Sequence, residues 1–335
     1  MNYNQLNEIL KKELNNPDRK THIKNLDEFS KYAKIIIDYP DDFEYEPYTI
    51  KIDLNKSIQL VSSFLKSISP QYENQFQNVI REQQYYNCPS YEFKKSNTPI
   101  STVYSDGHVL IGYQENLEDA FNILHESIHK FSQPYKENNI IKDFYGEITP
   151  ITMEFLFQEY LIKNNLFESE NKIYCRKRIR STYFDAASVL FEYHLLNLYQ
   201  VNRNISESVI EEYIESLPHE STEHTIFKNH YKEYLQDILN KNHLNFPIRQ
   251  RYVLGTIFSI YFKNGIEKDS SFVKYIDQLI RIFGDSNSNN NKNIRELVKC
   301  KNPIVNLDGY MDSLLKQSYI AELENLKFKK EKSLH

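Results

Sequence analysis

Leu117-Glu118-Asp119-Ala120-Phe121-Asn122-Ile123-Leu124-His125-Glu126-Ser127-Ile128-His129 is the stretch from which the fold is read. Leu117, Phe121, Leu124 and Ile128 recur at i, i+4, i+7 and i+11, the apolar stripe of a helix with one buried face. Asn116 stands just ahead as a candidate N-cap, and Glu118 and Asp119 fall in the first turn, where the helix dipole favours anions. The same helix carries the HExxH pattern His125-Glu126-Ser127-Ile128-His129. Residues four apart project from one face, so both imidazoles can reach a single cation. Glu126 then stands beside that cation without ligating it, where it can take a proton from water. Spacing alone discriminates weakly, because histidines and a glutamate at these offsets also arise by chance. The buried stripe and the capping residues make this a helix suited to the task.

A catalytic zinc takes three protein ligands and keeps a fourth position open to water. Candidates for the third ligand downstream are Glu137, Asp143, Glu147, Glu154 and Glu159. Glu147 and Glu154 are seven apart, two turns along one face, next to the apolar run Phe155-Leu156-Phe157. Acids on such a helix are costly to bury unless paired or bound to a cation. The plain alternative is an exposed helix edge. A second histidine-rich segment, His219-Glu220-Ser221-Thr222-Glu223-His224, has its histidines five apart. Five residues turn a helix by about 500°, so the rings diverge by roughly 140°. It reads as a solvated segment.

Outward from this centre the periodicity is mostly helical. Upstream, helices are expected over 3–15, 26–37, 56–68 and 72–86, with a strand-like Tyr48–Leu54 and short β pieces at 91–95, 100–104 and 108–113. Downstream, helices are expected over 117–132, 143–164, 177–200, 205–216, 221–241, 248–263, 270–283, 293–300 and 307–327. Gly284 to Asn291 is polar and low in complexity, a loop signature. The break at Asn87-Cys88-Pro89-Ser90 suggests a boundary, giving an N-terminal α-rich part (1–95) and a chemistry-bearing part (96–335).

Composition narrows the class. The chain has 335 residues, 40% of them hydrophobic, with 26 Tyr, 20 Phe, no Trp and only 7 Gly. So few glycines favour long helices over tight turns. A formal charge of −5 gives no reason to expect nucleic acid or an anionic membrane as partner. The basic run Arg176-Lys177-Arg178-Ile179-Arg180 reads as a solvated helix face. Cys88, Cys175 and Cys300 are odd in number, far apart and without CxxC spacing, which argues against a disulfide framework or a cysteine zinc site. The N-terminus shows no charged region followed by an apolar stretch, and no apolar run is long enough to span a bilayer. A cytoplasmic location is the expectation.

Two segments carry a family resemblance. His108-Val109-Leu110-Ile111-Gly112-Tyr113-Gln114-Glu115-Asn116-Leu117-Glu118-Asp119-Ala120-Phe121 leads into the HExxH, and Gly146-Glu147-Ile148-Thr149-Pro150-Ile151-Thr152-Met153-Glu154-Phe155-Leu156-Phe157-Gln158-Glu159-Tyr160-Leu161 follows it. Together they resemble the thimet oligopeptidase and oligoendopeptidase F family of zinc peptidases. The resemblance implies a mainly α fold: a zincin-like catalytic domain with a small β-sheet beside the HExxH helix and a helical bundle around it. It implies one Zn2+ per chain held by His125, His129 and Glu154, the last at twenty-five residues beyond the second histidine, with Glu147 as a supporting carboxylate. Glu126 is the implied general base, and a peptide or protein the implied substrate. In this setting the strand with Val109, Ile111, Gly112 and Tyr113 is a candidate peptide-pairing edge. An interior strand of the sheet is the other reading.

The chain departs from the family at several points. Ile128 stands where the family has Gly before the second histidine, and Pro150 replaces a small residue, starting the ligand helix with Thr149 as cap or kinking it. Of the late-helix tyrosines that face zinc in the family, only Tyr252 remains, with Leu254 and Thr256 at the other places. Tyr252, His243 and Arg249 are the candidate oxyanion donors. The region ahead of the metal helix is short, so selectivity for small peptides is not implied. Two other readings stand beside a zinc endopeptidase: a zincin scaffold that binds without turnover, and a purely structural zinc site, which would need a fourth protein ligand.

Overall fold

The computed structural model describes residues 1–39, 46–87, 101–103, 109–131, 146–268, 276–278, 280 and 316–326. The order is α1 (Tyr3–Asn15), α2 (Lys20–Ile37), α3 (Leu54–Ile68), α4 (Pro70–Glu82), β1 (Gln84–Asn87), β2 (Ser101–Val103), β3 (Val109–Tyr113), α5 (Leu117–Phe131), α6 (Ile148–Lys163), α7 (Glu168–Asn202), α8 (Glu207–Ser216), α9 (Thr222–Lys241) and α10 (Phe246–Lys268). The fold is mainly α, as expected. Among the described residues no helix is long and apolar enough to cross a membrane. The expected strand at 91–95, the helix at 293–300, the loop at 284–291 and most of the helix at 270–283 lie outside the described residues. Of the last expected helix, 316–326 is described and helical.

Two local expectations are corrected. Tyr48–Leu54 forms no strand; it is an irregular segment leading into α3. It is tied down by the buried Glu170 carboxylate, which accepts from Thr49 N (2.8 Å), Thr49 Oγ1 (2.8 Å) and Ile50 N (2.7 Å). Its alternating apolar residues mimic a strand, but among the described residues it joins no strand ladder, and Ile52 N donates to Glu115 O (2.9 Å) beyond the end of β3. The helix expected over 72–86 ends at Glu82, and Gln84–Asn87 instead becomes β1 by pairing with β3. Tertiary pairing here overrides a continuing helical pattern.

The division expected near residue 95 also differs from the observed one. The chain forms two compact units, each built from two stretches: Met1–Phe43 with Ile179–Leu254, and Glu44–Arg178 with Gly255–His335. Helices α7 and α10 each contribute to both, so no single break in the sequence marks the boundary. In the first unit α1, α2, α8 and α9 pack with the later part of α7, around residues such as Leu10, Phe191, Phe227 and Leu235. The buried Glu192 carboxylate accepts from Asn245 N (2.8 Å) and Phe246 N (2.6 Å), satisfying the free amides that begin α10. Burial pushes that carboxyl up to about 7.

The second unit holds the HExxH helix. A three-stranded sheet in the order β1-β3-β2 lies beside α5, with β1 parallel and β2 antiparallel to β3. Leu117, Phe121, Leu124 and Ile128 are fully buried, as the stripe requires, but Ala120 and Ile123 are buried too. Helix α5 is therefore covered on several sides, by α3, α4, α6 and the sheet. Phe121 packs on Phe157 of α6 (ring centroids 5.0 Å) and stacks on Tyr174 of α7 (3.6 Å, 9°). Burying such a ring contributes roughly 1.5–3 kcal/mol. These aromatics fix α5, α6 and the start of α7 to one another.

Candidate metal centre

Helix α5 begins as its sequence predicts. Asn116 Oδ1 accepts from Glu118 N at 2.8 Å, and Asp119 Oδ2 reaches back to Asn116 N at 3.2 Å, a reciprocal cap. Asp119 Oδ1 also accepts from Gln114 N (2.8 Å), and burial raises its carboxyl to about 6. The register set here brings His125 and His129 to one face, their Nε2 atoms 3.0 Å apart.

Glu147, at the N-cap position of α6, faces both. Its Oε2 lies 3.1 Å from His125 Nε2 and 3.5 Å from His129 Nε2. The helix makes no side-chain capping demand on Glu147. Pro150 starts no kink, because it lies in the first turn of α6, where backbone N–H groups have no intrahelical acceptor. Thr149 is not the cap. The N-terminal end of α6 also favours a carboxylate electrostatically.

Glu154, two turns on, occupies a different place from the one the resemblance implies. Its Oε1 contacts His125 Nδ1 at 2.5 Å, the ring nitrogen that points away from His129 and Glu147. Arg178 of α7 grips the same carboxylate, with Nε donating to Oε2 at 2.8 Å and Nη2 donating to Oε1. Glu147 stands with the two Nε2 atoms, while Glu154 meets His125 from the Nδ1 side. This difference escapes sequence periodicity because residues seven apart share one helix face. Only the position of α6 against α5 separates them.

The expected solvated basic run is likewise corrected. Arg176 is buried with Nη1 2.6 Å from Glu46 Oε1, Lys177 pairs with Glu118 (3.1 Å) and lies over the Tyr48 ring (4.3 Å), and Arg178 holds Glu154. Arg178 is the site residue that sequence reasoning missed. The available signal was acids on an apolar helix, which require a cationic partner when buried.

Electrostatics follow from this arrangement. Burial acts to lower His125, but contacts with the carboxylates of Glu147 and Glu154 outweigh it and raise the imidazole to about 10. Burial acts to raise Glu154, and the Arg178 guanidinium with His125 overcomes it, holding the carboxyl at about 2. Glu147 is held well below the carboxylate range by His129 and His125 against the effect of burial. Glu126, buried on α5, is raised by burial and makes no hydrogen bond among the described residues. A buried carboxylate with a raised affinity for protons, beside two imidazoles, is suited to taking up a proton and giving it back.

The residues present fit a divalent cation. His125 Nε2, His129 Nε2 and Glu147 Oε2 form a triangle with edges of 3.0, 3.1 and 3.5 Å. Three ligands on a tetrahedral ion at about 2.0–2.1 Å stand about 3.3 Å apart. Glu147 Oε2 is buried, and among the described residues it faces the two Nε2 atoms at 3.1 and 3.5 Å without a well-aligned hydrogen bond to either. A shared proton satisfies two of three such atoms, whereas a metal ion satisfies all three. His125 Nδ1 on Glu154 is the outer contact that fixes the tautomer of a metal-binding histidine.

Gly255 of α10 adds a steric condition. A Cβ there would meet Glu147 Cβ at 2.7 Å, Ile151 Cδ1 at 2.8 Å and the Glu147 carbonyl carbon at 3.2 Å. One turn on, Ser259 Oγ donates to Ile148 O at 2.7 Å. Helix α10 therefore lies directly against the residue that faces the histidines. Gly255→Ala is expected to cost about 1–3 kcal/mol of stability by overpacking and to weaken zinc binding by moving Glu147. Thermal melting and a zinc titration check both. Unchanged zinc affinity would show that the position of Glu147 does not depend on this contact.

Of the expected oxyanion donors, Tyr252, His243 and Arg249 fall within the first unit. His243 Nδ1 donates to Lys241 O (2.9 Å), and Arg249 Nη2 pairs with Asp237 Oδ2 (2.7 Å). Strand β3 is central: Leu110–Tyr113 pair with β1, and Val109–Ile111 also pair with β2. Ile111 is paired on both sides, the interior arrangement, whereas among the described residues Val109 is paired on the β2 side and Gly112 and Tyr113 on the β1 side.

No family model matches the sequence, and no curated protein sequence matches it. Among solved structures, the chain is similar to a candidate peptidase from Chlamydophila abortus, at 18% identity and a TM-score of 0.54. The match covers 95% of this chain and 57% of that one, so the chain spans a little over half the length of its neighbour. At this identity the likeness is one of fold, and the chain shares the fold of that protein over the matched length.

Proposed function

We propose that this chain is a zinc-dependent peptidase related to the thimet oligopeptidase and oligoendopeptidase F group. The observation that carries the reading is the triangle of His125 Nε2, His129 Nε2 and Glu147 Oε2, with the buried carboxylate of Glu126 one residue along α5. The fold shared with the candidate peptidase from Chlamydophila abortus and the two resembling segments support it. The ligand set is His125, His129 and Glu147, which leaves a fourth tetrahedral place for water.

Zinc held there would supply Lewis acidity toward a peptide carbonyl and acidify water. The chain's own groups do the rest. Glu126 takes a proton from the attacking water as the new C–O bond forms and then passes it to the amine nitrogen, which leaves as the C–N bond breaks. Glu154 holds the Nδ1 proton of His125, so Nε2 is the nitrogen that gives up its proton when it faces the ion. Arg178 holds Glu154 in place and neutralises it, so the outer carboxylate does not add a second uncompensated charge.

The direct test combines metal analysis with a peptide-library cleavage profile on the purified protein. One zinc per chain with chelator-sensitive, zinc-restored cleavage is expected. A metal-free protein with undiminished cleavage would end the reading. Arg178→Met is expected to lower zinc affinity about 10–100-fold, the loss typical of outer-sphere partners, without removing a ligand. Competition with a chelator of known affinity measures it. Wild-type affinity in that variant would remove Arg178 from the centre's support.

A further inference from the structure

A second group of metal-ligating side chains converges in the first unit, on Glu215, His219 and His224. Read as helix, these histidines diverge. In the structure their rings stand perpendicular (89°) with centroids 4.7 Å apart, and His219 Nδ1 lies 3.3 Å from His224 Nε2. The helical argument does not apply because His219 precedes α9, which starts at Thr222. Ser221 caps that helix, its Oγ accepting from His224 N at 3.1 Å. The direction of His219 is set by the turn between α8 and α9 rather than by helical rotation.

We infer that Glu215, His219 and His224 form a second binding site, for a divalent transition metal of the zinc class. The spacing of the two nitrogens, 3.3 Å, is that of neighbouring ligands on a tetrahedral ion with bonds of about 2.0–2.1 Å. Two imidazoles and a carboxylate suit zinc, nickel or copper and not magnesium or calcium. The ligand atoms of all three residues lie within 4.8 Å of one another, so small side-chain rotations close the set. Lys228 Nζ pairs with Oε1 of Glu215 at 3.0 Å, which leaves Oε2 for the ion. His224 is buried, whereas Glu215 and His219 are exposed. Water therefore completes the coordination and the ion exchanges with solvent. Glu215 lies in the last turn of α8 and His224 in the first turn of α9, so the bound ion ties these helices together across their turn.

This site is independent of the HExxH reading, and the test separates the two. Zinc is titrated calorimetrically into stripped full-length protein as wild type, His219→Ala/His224→Ala and His125→Ala/His129→Ala, with circular dichroism confirming helix content. Wild type is expected to bind two equivalents, one tight and one weak. The first pair of substitutions should remove the weak equivalent and the second pair the tight one. Glu215→Gln, a mild change at an exposed residue, should weaken the weak equivalent at least about tenfold, the loss already produced by an outer-sphere partner. Saturating zinc, but not magnesium, should raise the Tm of His125→Ala/His129→Ala. Absence from wild type of any equivalent that His219→Ala/His224→Ala removes overturns the inference. Failure of the HExxH reading looks different: no equivalent would be lost in His125→Ala/His129→Ala, whatever happens to the other.

Discussion

Glu147→Ala is expected to remove tight zinc binding, whereas Glu154→Gln should leave it weakened but present. The two acids are seven residues apart on one helix, yet they meet different nitrogens. Glu147 Oε2 completes the triangle with both Nε2 atoms, so its loss removes a ligand from the ion. Glu154 touches His125 through Nδ1, so its amide can still accept from that N–H while the Nε2 lone pair stays on the ion. The expected losses are more than about 100-fold for Glu147→Ala and about 10–100-fold for Glu154→Gln, the second being the range for an outer carboxylate. Chelator competition on both variants measures the order. The reverse order would restore Glu154 as ligand and make Glu147 the supporting acid.

Glu126→Gln is expected to keep zinc and lose cleavage. The amide keeps the shape of the carboxylate but has no affinity for the proton of water. The expected fall in kcat is about 10²–10⁴-fold, the range for a positioned general base. Burial of Glu126 on α5 raises its proton affinity, which matches a group that must take a proton and give it up again within one turnover. The substitution also removes a buried charge, so stability should hold or rise slightly. A cleavage assay beside metal analysis reads both effects. Full activity at full zinc occupancy would remove Glu126 from the mechanism and favour a scaffold in which turnover, if present, uses another group.

Much of the fold was legible because it is locally encoded. Helix α1 spans Tyr3–Asn15, as its pattern predicts, and α5 starts where Asn116 and Asp119 place it. Where the sequence reading went astray, a partner distant in sequence intervened. Gln84–Asn87 continues a helical pattern yet pairs with β3, and Tyr48–Leu54 alternates like a strand yet is held by Glu170 from α7. The basic run 176–180 looked solvated because its acids, Glu46, Glu118 and Glu154, lie up to 130 residues away.

The sequence by itself determined that His125, Glu126 and His129 share one helix with a buried apolar face, because a 3.6-residue period and a capping pair are local properties. It also confined the remaining acid to a short list with Glu147 and Glu154 foremost. Which of the two joins the histidines was decided only by the packing of α6, α7 and α10 around α5. Arg178 draws Glu154 behind His125, and Gly255 admits α10 close against Glu147. Those contacts join residues far apart in the chain, and their geometry depends on how whole helices pack, which no local pattern contains.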